Sequence, residues 1–448
     1  MKYLKFILPL ALISFSVSAQ QTTIIKQDEA IKQMVNEVSV KNIEATIRKL
    51  VSFKTRHTLG DTTSTTVGTG AARNWIKAQY ELYAKESGGR MTVQFDTFTQ
   101  PKASRIPNPV FLKNVLAILK GTDPTDTRVY IVSGHFDSIV GDVMDSKADA
   151  PGANDDASGT SVSMELARVM AKHSFPATVI FMAVCGEEQG LDGSAHVAKR
   201  AKAEKWNVDA MLNNDIVGNT HGLDNDIKDN LHVRVFSEGV PTGTTQQQLT
   251  RLINNGGEDD SPSRELARYI KEVGERYVDN LDVKLIYRRD RYGRGGDHTS
   301  FLTQGFTAVR FTEMNENFTR QHQYVRKENE IGYGDVPDSV DFSYVQKVAR
   351  MNLSVLSNLA SAPAAPLNVT MPSRGLTNMT NISWEDPKDG KKPVGYYVLM
   401  RETTSPFWER KLYVTGNSVK LNYSKDNFFF AVQSVDAQGH ESLPVFCR

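Results

Sequence analysis

The segment Val179-Ile-Phe-Met-Ala-Val-Cys185-Gly-Glu-Glu188 sets seven apolar residues in a row and then stops at two glutamates. A short, β-branched apolar run of this kind reads as a strand buried on both faces, and Gly186-Glu187-Glu188 as its carboxyl end. Working outward, similar runs fall at 91–98, 114–119 and 129–133 upstream, and at 211–214 and 307–311 downstream. Helical spacing separates several of them, at 159–172, 193–202 and 264–277, the last opened by Ser261-Pro262. Strands alternating with helices predict an α/β fold with a mainly parallel central sheet flanked by helices. In such sheets the active site lies outside the carboxyl ends of the strands. Residues 29–52 and 70–86 add a helical preface, with Ile31, Met34 and Val35 on one apolar stripe and Trp75, Ile76, Tyr80 and Leu82 on another. The polar segments 219–229 and 241–255 read as surface loops.

The 448 residues suggest two to four domains, at roughly 100 to 200 residues each. That estimate holds for the chain left once residues 1–19 are set aside as a leader: Lys2 and Lys5, an apolar stretch from Phe6 to Phe15, then Ser16-Val-Ser-Ala19. It predicts an exported chain, periplasmic or secreted, without stable membrane insertion. A catalytic domain is expected over 20–362, closed by a helix over 342–360 and followed by the linker Ser361-Ala-Pro-Ala-Ala-Pro366. From there to 448 the pattern changes to short strand-like runs at 381–384, 395–401, 409–414, 419–422 and 428–435, which predict a small all-β sandwich. The formal charge of +1 stays near zero with or without the leader, so no basic field attracts nucleic acid. Cys185 and Cys447 are too few for a disulfide framework, and Cys185 reads as a small buried hydrophobe.

Metal-ligand residue types gather at the predicted strand ends. Gly134-His135-Phe136-Asp137 follows one strand, and Pro151-Gly-Ala-Asn-Asp155-Asp-Ala-Ser-Gly159 leads into a helix. Glu187 and Glu188 end the strand quoted above, Asn213-Asn214-Asp215 ends the next, and Asn317-Phe-Thr-Arg-Gln-His322 follows Thr312-Glu313 at the end of a later one. Two imidazoles with several carboxylates suit a borderline cation such as zinc, with cobalt or manganese as alternatives. No Gly-x-Ser-x-Gly elbow and no Gly-x-x-x-x-Gly-Lys phosphate loop is present.

In this order, Gly-His-Phe-Asp, Pro-Gly-Ala-Asn-Asp-Asp-Ala-Ser-Gly, Gly-Glu-Glu, Asn-Asp and Gln-His, the chain resembles the co-catalytic zinc aminopeptidases, relatives of bacterial leucyl aminopeptidase and glutamate carboxypeptidase. The resemblance runs over about 40–360 and takes in Thr55-Arg56-His57 and Ala72-Arg73. It implies two zinc ions, one held by His135, Asp155 and Asp215, the other by Asp155, Glu188 and His322, with Asp155 bridging. It further implies Glu187 as general base, Asp137 as the carboxylate that orients His135, and a metal-bridging hydroxide that attacks the carbonyl of a peptide's N-terminal residue. Asn154 stands where an aspartate also occurs in that family. The tail resembles a fibronectin type III domain, through Trp384, Gly395-Tyr-Tyr-Val-Leu-Met-Arg401 and Phe430-Ala-Val-Gln-Ser-Val-Asp436. That module is expected to space, dock or stabilise the catalytic domain, with Trp384 and Tyr396 in its core or exposed to bind a partner.

Three alternatives stay open at this level. Arg288, Arg289, Arg291 or Arg294, in the basic loop ahead of His298, is suited to clamp a substrate carboxylate, which favours a carboxypeptidase. The same architecture serves glutaminyl cyclases, which use a single zinc. A binding protein with a structural metal is the third, and Glu187 speaks against it because a ligand cage has no need of a free base. The remaining histidines, His57, His173, His196, His221, His232 and His440, show no ligand pattern.

Overall fold

A computed structural model describes residues 25, 27–372 and 375–447, so the expected leader lies outside the described residues. The helical preface is three helices rather than two. The stretch 29–52 breaks into α1 (Glu29–Glu37) and α2 (Val40–Ser52), because Asp28 and Ser39 each cap a first turn and Val38 is extended between them. Helix α3 (Gly68–Ala84) follows.

The next elements are β1 (Met91–Gln100), β2 (Val110–Leu119), β3 (Arg128–His135), α4 (Ala157–Met170), β4 (Thr178–Val184), the single turn α5 (Glu187–Gly190), α6 (Asp192–Ala203) and β5 (Asn207–Asn214). After them come β6 (His221–Gly222), β7 (Ile227–Lys228), β8 (His232–Phe236), α7 (Gln246–Asn255) and α8 (Pro262–Tyr269), which runs on through a π turn into α9 (Glu275–Tyr277). Strand β9 (Asp282–Ile286), α10 (His298–Thr303), β10 (Ala308–Glu313), the hairpin β11 (Arg326–Glu328) and β12 (Ile331–Tyr333), and α11 (Phe342–Ser361) complete this part.

Eight strands form one sheet in the order β1-β2-β4-β3-β5-β10-β8-β9. Its centre, β4-β3-β5-β10, is parallel, as the alternation of strands and helices predicts. Strands β1 and β2 add an antiparallel edge, and β8 runs antiparallel to β10. Both faces are covered. Along β4, Val179, Phe181 and Ala183 face the larger core with α2, α4 and α11, while Ile180, Met182 and Val184 face a smaller one with α6 and α10. This two-sided cover is why the strand reads as an unbroken apolar run, and each large side chain so buried contributes about 1.5–3 kcal/mol. Helix α4 sits close on the strand ends. A Cβ on Gly134 would lie 2.3 Å from the Gly159 carbonyl carbon, and one on Gly159 would lie 2.0 Å from the Asn214 oxygen.

Two loop expectations are corrected. Residues 219–229 contain the small hairpin β6–β7, and residues 241–255 contain α7, opened by a Thr245–Gln248 capping box. No residue of α7 is buried, and its apolar positions Leu249, Leu252 and Ile253 stand in a stretch otherwise made of Gln, Asn, Thr and Arg, which reads as a surface loop.

Past α11 the chain forms β13 (Leu367–Thr370), β14 (Thr380–Glu385), β15 (Gly395–Glu402), β16 (Arg410–Val414), β17 (Ser418–Leu421), β18 (Phe428–Val435) and β19 (Val445–Phe446). They make two antiparallel sheets, β13-β14-β17 and β16-β15-β18-β19. Trp384 and Tyr396 lie between them edge to face, ring centroids 5.2 Å apart, with Val398, Leu421, Phe430 and Val432. Both belong to this core rather than to an exposed binding face. Cys185 and Cys447 are buried and free.

Candidate metal centre

The parallel strands deliver their carboxyl ends to one place. His135 is the last residue of β3, Asp155 lies just ahead of α4, Glu187 and Glu188 open α5 directly after β4, and Asp215 follows β5. His322 comes from the segment between β10 and β11, with its backbone in the left-handed region at φ 52°. The Nε2 of His135 is 3.1 Å from Asp155 Oδ1 and 3.9 Å from Asp215 Oδ1. His322 Nε2 is 2.9 Å from Asp155 Oδ2 and 3.0 Å from Glu188 Oε1. Two triplets therefore form, His135–Asp155–Asp215 and Asp155–Glu188–His322, each with ligand atoms within 4.8 Å of one another. Asp155 is common to both. Glu187 forms a third such triplet with His135 and Glu188, one that does not include Asp155.

A polar frame holds these side chains. Asp156 caps α4 at Gly159 N (2.8 Å) and also accepts from His135 N (3.0 Å), which ties helix to strand. Asp335 accepts from the backbone nitrogens of Asn154 (2.8 Å) and Asp155 (2.7 Å), and Gln321 Nε2 donates to Asp155 Oδ2 (3.2 Å). Arg310, fully buried, places its Nη2 2.8 Å from Asp215 Oδ1 and reaches Asp290 Oδ2 at 3.3 Å with Nη1. Asp137 Oδ2 accepts from Glu188 N (3.2 Å) and the Thr58 hydroxyl (3.2 Å). Its backbone oxygen lies 3.2 Å from His135 Nδ1, with its carboxylate at 3.6 Å, so both face the ring nitrogen turned away from the cluster. Arg56 is buried and donates to the carbonyls of Phe136, Pro151 and Gly152, joining the two loops that carry His135 and Asp155.

The electrostatics are those of a site for cations. Burial pushes the Glu187 carboxyl well above the usual range, and Asp215 and Glu188 add repulsion. Burial also opposes ionisation of Asp155, yet His322 and His135 hold it well below the ordinary carboxylate value. His135 Nε2 is buried and makes no hydrogen bond, although the ring is grouped with four carboxylates, those of Asp155, Glu187, Glu188 and Asp215. An orphaned imidazole nitrogen costs free energy unless something electrophilic takes its lone pair, and a cation does so. The donor set, two imidazoles and three carboxylates, fits zinc.

The other residues singled out in the sequence fall outside the triplets. His298 Nε2 lies 2.9 Å from Arg289 O, under the basic loop. Arg291 pairs with Glu316 (2.9 Å) and Arg289 donates to Thr299 O (3.2 Å), while Arg288 and Arg294 are exposed. His57 is buried, its Nε2 2.9 Å from Val143 O. His173, His196 and His221 each sit beside one carboxylate, that of Glu37, Asp96 and Asp226 in turn, while His232 lies between Asp229 and Asp282 and His440 between Asp436 and Asp28. Sequence reading missed Arg310 and Asp335, and quoted Gln321 beside His322 without giving it a role. Arg310 did carry a signal, because a charge inside the apolar run Ala308-Val-Arg-Phe311 demands a buried partner.

Comparison with known proteins agrees with this geometry. The model of "Peptidase family M28" matches residues 114–341, the span from β2 to the start of α11. A protein of the fungus Leptosphaeria maculans, named "Probable zinc metalloprotease", is 47% identical over 420 residues, 94% of this chain and 97% of that one. The crystal structure of LapA aminopeptidase from Legionella pneumophila superposes with a TM-score of 0.53 and 22% identity over 77% of this chain and 78% of its own. A glutaminyl cyclase of Macrostomum lignano superposes with a TM-score of 0.52 and 14% identity over 76% of this chain and 94% of its own. These two structures share the fold. On the family match and the near-full-length relative, the chain belongs to peptidase family M28.

Proposed function

We propose that the protein is a zinc metallopeptidase with two ions, an aminopeptidase that removes residues from the N-termini of peptides. The observation that carries this reading is the pair of triplets sharing Asp155, with Glu187 beside them, grouped with His135 and Glu188. His135, Asp155 and Asp215 would hold one ion, and Asp155, Glu188 and His322 the other. When bound, a pair of zinc ions lowers the pKa of a water and polarises a carbonyl. Glu187 takes the proton of the attacking water on its carboxylate, keeps it while the tetrahedral carbon forms, and returns it to the nitrogen of the leaving amine. Asp137 fixes the ring of His135 through the nitrogen away from the cluster.

The amino end of the substrate is favoured over the carboxyl end because the basic loop spends its inner charge on the protein itself. Arg291 is neutralised by Glu316 and Asp290, and Arg289 lies 4.0 Å from Glu238 and donates to Thr299 O. The leader-like residues 1–19 support export, and no helix among the described residues is long and apolar enough to cross a membrane. The near-neutral charge supports peptides rather than nucleic acid as ligands. Two antiparallel sheets around Trp384 and Tyr396 support a fibronectin type III-like module over 363–448.

Mass spectrometry of a mixed peptide set incubated with the zinc-loaded protein tests the reading, with N-acetylated copies of the same peptides alongside. Stepwise loss from free N-termini, with the acetylated copies spared, is the expected result. Shortening from the C-terminus would establish a carboxypeptidase instead. Cyclisation of N-terminal glutamine without any shortening would establish a glutaminyl cyclase.

A further inference from the structure

The segment 287–297 between β9 and α10 is anchored at both ends, and the two anchors lie in different parts of the molecule. At its far end it backs the metal centre. Gly295 O accepts from Arg310 Nη1 (2.9 Å), and a Cβ on Gly296 would lie 3.2 Å from Asp215 Oδ2. Asp290 completes the buried triad Asp215–Arg310–Asp290. At its near end, Tyr287 is bound by the β-sandwich: its hydroxyl donates to the Pro406 carbonyl between β15 and β16 and accepts from Arg268 Nε (3.0 Å). The Arg264 guanidinium covers the Tyr287 ring at 4.0 Å.

Tyr287 itself is half-buried, and the charged network behind it is buried. Arg268 also donates to Pro406 O (2.8 Å) and pairs with Asp260 (2.7 Å). Asp260 accepts from Arg401 of β15 with both oxygens, at 2.7 and 2.9 Å. Glu265 pairs with Arg268 and accepts from the Trp408 indole (2.8 Å). Arg401, Asp260, Glu265 and Arg268 are each no more than 3% exposed. A buried network of this kind specifies one arrangement and tolerates no loose one, since removing a member leaves a charge without its partner.

We propose that the C-terminal β-sandwich is a structural part of the metal centre: through Arg401 and the Pro406 carbonyl it fixes Tyr287, and with Tyr287 the loop that backs Asp215. Tyr287 is a positioning residue. Its hydroxyl is the point where a strand connection of the sandwich meets the loop whose other end closes on Arg310 and Asp215.

Hydrogen exchange read by mass spectrometry on the full-length, zinc-loaded protein tests this, comparing wild type with Tyr287→Phe and Arg401→Ala. Tyr287→Phe deletes one hydroxyl, and Arg401→Ala leaves Asp260 with Arg268. Amides of 288–297 should exchange about tenfold faster in both variants, the equivalent of one hydrogen bond, while β4 and β5 keep their protection. Unchanged exchange in the loop overturns the inference. So does faster exchange throughout the large sheet, which would mean that the sandwich acts on the whole domain. The kinetic readout rests on the peptidase reading above: kcat should fall several-fold with KM unmoved, because a displaced Asp215 harms the transition state more than substrate binding. If the wild type proves inactive on peptides, the functional reading fails and the exchange data still decide this inference.

Discussion

His135 and His322 approach opposite oxygens of a single carboxylate, the first 3.1 Å from Oδ1 of Asp155 and the second 2.9 Å from its Oδ2. The imidazoles come from opposite ends of the domain's sequence, one at the end of β3 and one from the segment before β11. Asp155 is placed between them by its neighbours, with its own nitrogen held by Asp335 and its helix capped by Asp156.

The two halves of the cluster are separable through their unshared ligands. Asp215→Ala should lose the ion bound with His135, and Glu188→Ala the ion bound with His322, each variant keeping the other ion. Zinc per chain, measured by plasma mass spectrometry after dialysis, checks this. Loss of both ions in either variant would mean one cooperative site.

Glu187 groups with His135 and Glu188 and not with the shared Asp155, and its carboxylate is expected to serve the proton rather than the cation. Glu187→Gln should lower kcat by about a hundredfold to ten-thousandfold, the usual worth of a general base, with zinc content unchanged. Full activity in this variant would remove the assigned role.

Helix α4 brings the segment after Asp155 against the strand ends with no room for a side chain at Gly159. Gly159→Ala pushes a methyl toward the Asn214 carbonyl and should destabilise the protein by about 1–3 kcal/mol, the usual cost of overpacking. Urea unfolding of the variant against wild type measures it.

Away from the centre, Asp436 accepts from Lys391 (2.7 Å) and from His440 Nδ1 (2.8 Å). Burial opposes its ionisation, but these partners lower its carboxyl from 3.8 to about 2. A depressed carboxyl stabilises the fold above its unfolded value, and that stability is lost as the pH falls from about 4 toward about 2. Asp436→Asn should therefore cost about 2 kcal/mol at neutral pH and little at the acid end of that window. Unfolding curves at several pH values would show the two proteins converging on acidification. A constant gap would contradict it.

The parts legible in the sequence are those in which one local pattern dictates one structure. Strands buried on both faces, such as Val179 to Val184, read as apolar runs, and the ligand types stand directly after them at His135, Glu187, Glu188 and Asp215. Strand β8, His232-Val-Arg-Val-Phe236, alternates polar with apolar and gives no such run. Helix α7 carries Leu249, Leu252 and Ile253 at helical spacing, but in a polar stretch that buries nothing. The split between α1 and α2 rests on one capping serine, Ser39, inside an otherwise continuous helical spacing. The support for the centre was illegible for a different reason: Asp335 reaches Asp155, and Arg310 reaches Asp215, across long stretches of chain, and only the folded topology brings them together.

The central claim, two cations held through one shared carboxylate, is tested most directly by native mass spectrometry of the intact zinc-loaded chain beside its Asp155→Ala variant. The account predicts the mass of two zinc ions on the wild type and no tightly held zinc on the variant. A wild type that takes up a single ion, or a variant that still holds both, would contradict it.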